Sequence, residues 1–423
     1  MKITDVRWTP AFIPIEAPLR YSVGSHPGFS RIVIEVETDE GITGLGECYS
    51  GASRAGQLAD LKPLLIGEDP MNLERIRWKL AAPSSEKLFG FTLGFAGLEF
   101  AILDIQGKAL KRPVCDLLGG RIRNEVPFSA YLFYRYANDD GAGEVSNIRQ
   151  MVEFAEEVVS KYGFKTLKYK NGVLPPDEEI ETFIALREAF PKHRIRLDPN
   201  AVWTVTTAID VARRLHDFNV EYLEDPVWGM RAMKRVNAKA PWVTLASNMT
   251  VFAFEDLAPA IMSDVLDVVL LDPHWYGGIH RAKLAGQICE AMGVDAGMHS
   301  GAEFGISQAA MLHLAACLPN LVLAPDSHYH HLTDDIIVGG KMQYKNGAMA
   351  VPTGPGLGVE LARDKLARYH ELSKRREMGT WTDDPRRPGV VITQPKWCPS
   401  EDEKHCLGGV SRSAASRHAA GER

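Results

Sequence analysis

No run of about 18 uninterrupted apolar residues occurs anywhere in this 423-residue chain, so no membrane-spanning helix is expected. The opening Met-Lys-Ile-Thr-Asp-Val-Arg lacks the apolar stretch of a secretory leader. A surplus of one charge is also missing: 48 basic side chains face 54 acidic ones, for a net charge of −6. That balance excludes a partner held by a broad basic surface, nucleic acid above all. Cysteine is sparse, and Cys48, Cys115, Cys289, Cys317, Cys398 and Cys406 are scattered, which suits a reducing compartment better than a disulfide framework. Cys398, His405 and Cys406 fit no common zinc spacing. What is present, 45% hydrophobic and 24% charged residues, is the balance of an ordinary globular protein, expected to be soluble and cytoplasmic. At about 150 residues per domain the length predicts two domains, or three.

Residues 1–60 read as an antiparallel meander: Ile3–Trp8, Ser30–Thr38, an Asp39-Glu-Gly turn, and Ile42–Cys48. From Met71 to Lys111 the period becomes helical. Phe95–Leu110 is apolar, with small residues where another element must approach closely. Strands followed by helices predict an α+β domain.

The second half has a regular beat. Apolar runs close on polar residues at Lys168, Asp198, Glu224, Asn248, Asp272, His299 and His328, at intervals of 30, 26, 24, 24, 27 and 29 residues. Helical patterns lie between them, as at 177–190, 206–218, 278–292 and 307–317. A strand, a turn and a crossover helix need roughly 25–30 residues, so the beat predicts parallel βα units. With Val126–Phe133 as a first strand the units number eight, the count of a closed α/β barrel. An open doubly wound sheet would carry a glycine-rich phosphate turn after its first strand, and none is present. A helical stretch at 359–376 follows, and 399–423 is so poor in large apolar side chains that a disordered tail is expected.

Barrel chemistry sits at the carboxyl ends of the strands. Asp198, Glu224 and Asn248 close three successive runs, and an all-oxygen donor set suits a hard dication such as Mg²⁺. Taken singly, Asp198-Pro and Glu224-Asp-Pro read equally as helix caps or turns. Lys168 and Lys170, two apart, point to the same face, where burial and a like charge are expected to lower an amine into the range of a base. The alternative is a pair of surface lysines. Asp272 and His299 end neighbouring runs, so the carboxylate can orient the imidazole as base or acid. His313, His330 and His331 read as structural histidines. A substrate carboxylate held on the cation would present its α-carbon to lysine and histidine from opposite sides, which makes α-proton abstraction the expected reaction class.

These residues resemble the enolase superfamily, and within it the glucarate dehydratase group of acid-sugar dehydratases. The likeness is carried by Gly163–Leu174, Ile195–Trp203, Glu224-Asp-Pro, Ala246–Met249, Leu271–His274, Met298-His-Ser and Pro355–Glu360. The pairing of Lys or His bases with Mg²⁺ is a general feature of such sites. The resemblance implies an α/β fold, a modified TIM barrel (β/α)7β over residues 126–355 beneath an α+β capping domain over 1–125, with 356–398 returning to the cap. It implies Mg²⁺ on Asp198, Glu224 and Asn248, Lys170 as one base helped by Lys168, and His299 with Asp272 opposite. Tyr131, Phe133, Asn200, Ser300 and His328 match substrate-contacting positions, and His26, on a Gly/Ser-rich loop of the cap, matches a residue that closes over the substrate. The chain departs from the group at Gly301 and Ala302, where asparagines are usual, at Thr382 in place of an arginine that grips the far end of a diacid, and at Tyr21 in place of an asparagine.

The activity implied is dehydration of an aldonate or aldarate to a 2-keto-3-deoxy acid, in a homo-oligomer whose partner is a small acid-sugar molecule. Two bases flanking one α-carbon equally suit a racemase or epimerase, and a non-catalytic acid-sugar-binding relative is the third alternative.

Overall fold

The structure, a computed structural model, describes residues 1–22, 24–81 and 91–375. Thr382, Cys398, His405, Cys406 and the expected tail at 399–423 lie outside the described residues. Among those described, no helix is long and apolar enough to cross a membrane.

Strands β1 (Ile3–Tyr21), β2 (Gly24–Thr38) and β3 (Thr43–Tyr49) form an antiparallel meander. The β2–β3 turn is completed by Gly41 at φ 76, a backbone that glycine adopts freely. Helix α1 (Ala52–Leu65) follows directly, although the sequence reading extends the β region to residue 60. Its buried stripe is only Leu58, Leu61 and Leu65, too thin a periodic signal to stand out. Helices α2 (Leu73–Ala81) and α3 (Phe91–Leu110) complete the layer, ahead of the one-turn α4 (Val114–Leu117). Small residues let α3 and β3 touch through their backbones: a Cβ on Gly46 would lie 1.9 Å from the Gly97 carbonyl oxygen, and one on Gly44 2.0 Å from that of Ala101.

The barrel begins after the short β4 (Glu125–Pro127) with β5 (Ser129–Leu132), and a two-residue β6 (Tyr134–Arg135) leaves it to pair with β1, so the cap sheet runs β3-β2-β1-β6. Helix α5 (Ile148–Tyr162) is bounded by Asn147, whose side chain accepts the Gln150 N–H, and by left-handed Gly163. It buries Met151, Phe154, Ala155 and Val158, the spacing of one helix face. The remaining parallel strands are β7 (Thr166–Lys170), β8 (Arg194–Asp198), β9 (Val220–Glu224), β10 (Leu245–Ser247), β11 (Val268–Leu271) and β12 (Asp295–Met298), and the sheet order is β12-β11-β10-β9-β8-β7-β5. Helices α6 (Pro176–Ala189), α7 (Val205–Arg214), α8 (Met230–Asn237), α9 (Leu257–Met262), α10 (Ile279–Met292) and α11 (Gly305–Ala316) surround it.

The eighth position, expected as a strand at 321–328, is instead two isolated parallel bridges, Ala296 with Leu321 and Ser129 with Asp326. Pro325 has no N–H to give a continuous ladder, and only its carbonyl is used, by Ser129 N at 3.0 Å. Those bridges join the two ends of the curled sheet, which rules out an open doubly wound arrangement. A last short strand, β13 (Ala348–Ala350), pairs with β4.

Cap and barrel are pinned by buried carboxylates. Glu47 of β3 accepts Phe304 N and Ser307 N, each at 2.9 Å, at the start of α11. Glu99 of α3 takes the His280 ring Nδ1 at 3.0 Å at the start of α10. Negative charge at a helix N-terminus is stabilising. Helix α12 (Arg363–Ser373) brings the chain back onto the cap, with His370 Nδ1 donating to the Pro10 carbonyl at 2.7 Å and Arg363 paired to Glu35.

Candidate active site

At the mouth, Lys168 and Lys170 project to the same side of β7 and both are buried. Lys168 Nζ lies 2.5 Å from Glu224 Oε2, 2.6 Å from Asp326 Oδ2 and 3.1 Å from Asp198 Oδ2. Burial disfavours its charge, but the carboxylates of Asp198, Asp326 and Glu224 outweigh burial and hold the amine well above the usual lysine range. The shift of Lys168 is therefore opposite to the lowering expected: the like charge of Lys170 is outnumbered by Asp198, Glu224 and Asp326, the last of which sequence spacing did not bring to it. Lys170 Nζ donates to Asp198 Oδ2, to Asn200 Oδ1 at 2.8 Å and to Tyr131 Oη at 3.2 Å.

Asp198 and Glu224 thus share one ammonium. The two lysines overcome the burial of Asp198 and keep it below the ordinary carboxylate range, whereas burial and the charge of Asp198 push Glu224 well above it. The Asn248 amide lies against Glu224: turned with its nitrogen towards the carboxylates, it donates to Glu224 Oε1 at 3.3 Å and to Asp225 Oδ2 at 2.8 Å. The opposite rotamer of that amide presents oxygen beside oxygen, a donor set for a hard cation. Asp225, absent from the sequence reading as a site residue, takes Asn248 N at 2.9 Å and Met249 N at 3.0 Å and so fixes where Asn248 points. Burial raises its pKa to about 6. Among the described residues no three acidic, histidine or cysteine side chains form a ready metal cage. The set here is two carboxylates and an amide, and its all-oxygen chemistry fits Mg²⁺.

Across the mouth, His299 Nδ1 bonds Asp272 Oδ2 at 2.8 Å, and the ring lies 4.7 Å from that of Trp275. Asp272 accepts His274 N at 2.7 Å through its other oxygen. Burial raises this carboxyl, but the bond to His299 and the histidine charges outweigh it and lower its pKa. Ser300 Oγ donates to Glu303 Oε2 at 2.6 Å and lies 2.9 Å from His328 Nδ1, while Glu303 Oε1 takes Gly301 N at 2.5 Å. Burial and the nearby His299, Lys170, His26 and Lys168 keep His328 well below the usual imidazole range. Asn200, Asp225 and Ala302 all have positive φ (54, 35 and 68), strained backbone of the kind that gathers at functional sites.

One cavity of about 560 Å³ collects these groups: Lys170, Asn200, Tyr131, Phe133, His299, Ser300 and His328 from the barrel, and Tyr21, His26, Phe29 and Tyr49 from the cap. Every candidate substrate-contacting residue borders it. His26 lies on β2, opposite Leu19 of β1, rather than on a loop, because the hairpin resumes after a register shift between Pro14 and Leu19. Its ring stacks on Tyr21 at 4.7 Å. His330 and His331 face away and hold β5: Tyr131 N donates to His330 Nε2 at 3.2 Å, and His331 Nε2 donates to the Tyr131 carbonyl at 3.0 Å.

Sequence reasoning missed Asp326, which joins Lys168 to Arg196 and to Ser129 Oγ (2.7 Å), although its place two residues before His328 at a strand end was a usable signal. It also missed Arg31, buried between cap and barrel. Its Nε donates to Glu47 at 2.9 Å, Nη1 to the Gly301 carbonyl at 3.1 Å, and Nη2 lies 2.7 Å from His274 Nε2. No local pattern marks such a residue.

Two family models match this chain: "Mandelate racemase / muconate lactonizing enzyme, N-terminal domain" over residues 3–119 and "Enolase C-terminal domain-like" over residues 150–365. The chain belongs to the enolase superfamily. The Probable glucarate dehydratase of Streptomyces coelicolor is 37% identical, covering 94% of this chain and 97% of that protein. An enolase of Thermobispora bispora, solved with magnesium and formate, is 42% identical, with a TM-score of 0.83 over 90% of this chain and 95% of its own. The N-succinyl-L-Arg/Lys racemase of Bacillus cereus is 27% identical over 86% of this chain and 97% of that protein. The enolase-like barrel with its cap is thus common to relatives named for different reactions.

Proposed function

We propose that this superfamily member is a Mg²⁺-dependent acid-sugar dehydratase that removes the α-proton of an aldonate or aldarate and expels the β-hydroxyl, yielding a 2-keto-3-deoxy acid. The observation that carries the reading is that Lys170 and His299, the latter bonded to Asp272, border one cavity from strands three apart round the ring one way and five the other. Asp198, Glu224 and Asn248 would hold the ion, as the magnesium-bound relative and the donor chemistry suggest. When bound, Mg²⁺ supplies positive charge that orients a substrate carboxylate and steadies the enediolate.

The chain's own residues do the proton work. Lys170 takes the α-proton from one face, and Lys168, kept cationic by its carboxylates, adds a second positive charge below the site. His299, its Nδ1 on Asp272, has Nε2 left for the cavity and delivers a proton to the departing hydroxyl. Asn200 and Tyr131 hold Lys170 Nζ in place. A racemase or epimerase is the second reading, favoured by the same two bases and by the racemase relative.

Mono- and diacid sugars incubated with Mg²⁺ in D₂O separate these readings. Keto acid formation supports dehydration. Deuterium at the α-carbon of returned substrate, without keto acid, replaces it with racemisation or epimerisation. His299→Asn is expected to abolish turnover while Mg²⁺ still raises the melting temperature, and surviving turnover would remove His299 from its acid role.

A further inference from the structure

Tyr49 ends β3, and its ring enters the cavity from the cap. It is clamped from behind. The Arg31 guanidinium lies 4.3 Å from the ring centroid, and His274 meets the ring edge at 5.4 Å. In front lies Gly301, where a Cβ would fall 1.7 Å from Tyr49 Oη and 2.5 Å from Cζ. Residue 301 is glycine for want of space, and the wall at this point is a phenol surface.

The cap side of the cavity is otherwise Tyr21, His26 and Phe29. Burial lowers the His26 pKa to about 4, so that ring brings no charge at neutral pH. Arg31 is close, but its guanidinium is spent on Glu47, His274 and the Gly301 carbonyl. Among the described residues bordering the cavity, Lys170 is the one lysine or arginine, and Asp198 and Asn200 engage it. A second carboxylate at the cap side would lose its water with no lysine or arginine among the described lining residues left to pair with it, whereas a hydroxyl there can bond a phenol.

We propose that Tyr49, closed over Gly301, is a specificity-determining residue that selects polyhydroxy monocarboxylic acids, whose terminal hydroxyl rather than a second carboxylate meets this wall. The proposal rests on the acid-sugar reading and deepens it by naming the substrate class.

The test is calorimetric titration of aldonic acids, and of aldaric acids of the same chain length and stereochemistry, into the Mg²⁺-loaded His299→Asn chain, where turnover does not intervene. Each aldonate is expected to bind at least about ten-fold more tightly than its aldarate, the worth of one good polar contact. Adding Tyr49→Phe should weaken the aldonate by about ten-fold and leave the aldarate unchanged. An aldarate binding as tightly as its aldonate, or an unchanged ratio in Tyr49→Phe, overturns the proposal. Turnover of the unaltered chain is read separately: selective binding without keto acid or α-deuterium exchange sinks the dehydratase reading and leaves this one standing, and no binding of either acid overturns both.

Discussion

Arg31→Met removes the cation that fastens the cap to the loop bearing His299. In the native chain Arg31 is 1% and Glu47 0% exposed, and their contact is 2.9 Å. Breaking a fully buried ion pair from one side costs roughly 3–5 kcal/mol, because the remaining charge is left uncompensated. Glu47 keeps Phe304 N and Ser307 N at the start of α11, so the lower end applies, about 3 kcal/mol. Urea unfolding followed by tryptophan fluorescence measures it. The double variant Arg31→Met/Glu47→Gln should be less damaged than the sum of the single variants by at least about 1.5 kcal/mol, because each single variant leaves a lone buried charge and the double variant leaves none. Turnover should suffer as well: the Gly301 carbonyl loses its donor two residues from His299, so kcat should fall more than KM rises. Stability within about 1 kcal/mol of the native chain, together with additive single variants, would refute the reasoning.

Gly301→Ala forces a Cβ against Tyr49 and should cost about 1–3 kcal/mol in an otherwise native chain but close to nothing in a Tyr49→Ala background, as a double-mutant cycle of unfolding free energies will show. His313 is buried, with its Nδ1 accepting Cys115 N at 3.3 Å and its Nε2 donating to the Leu357 carbonyl at 3.1 Å, and burial lowers its pKa to about 4. Its folded pKa lies below the unfolded value near 6.5, so the unfolded chain takes up the proton first. The stability this imidazole contributes is complete above about pH 6.5 and drains away as pH falls towards about 4, at about 1.4 kcal/mol per pH unit. Relative to His313→Gln, the native chain should therefore lose about 2 kcal/mol between pH 7 and pH 5, and parallel pH profiles would contradict this. Mg²⁺ at 100 times its Kd should stabilise the native chain by about 2.7 kcal/mol, and Asp198→Asn should erase that increment in a thermal shift assay.

Local physics explains how much of the architecture was legible beforehand. A strand, a turn and a crossover helix take a set length of chain, so the spacing of Lys168, Asp198, Glu224, Asn248, Asp272 and His299 reports where each strand ends and which way its last side chain faces. Parallel register then sets Lys170 beside Asp198 and Glu224 beside Ala246. The apolar helix around Gly97 announced a close neighbour, and the glycines of β3 are that neighbour. Helix α1 was lost because three buried leucines in fourteen residues make too faint a stripe, and the eighth strand was overdrawn because a proline breaks its ladder.

What the amino-acid order determined by itself is therefore the list of chemical groups and the end of the barrel at which they stand, since both follow from neighbours a few residues apart. Tertiary structure alone decided their charge states and the shape they enclose. The Lys168 amine is raised rather than lowered because Asp198 and, 158 positions away, Asp326 close on it. Arg31 reaches the Gly301 carbonyl across 270 positions, and Tyr49 takes the space that a side chain on residue 301 would need. Desolvation, charge pairing and excluded volume depend on distance through space, and no period along the chain records them.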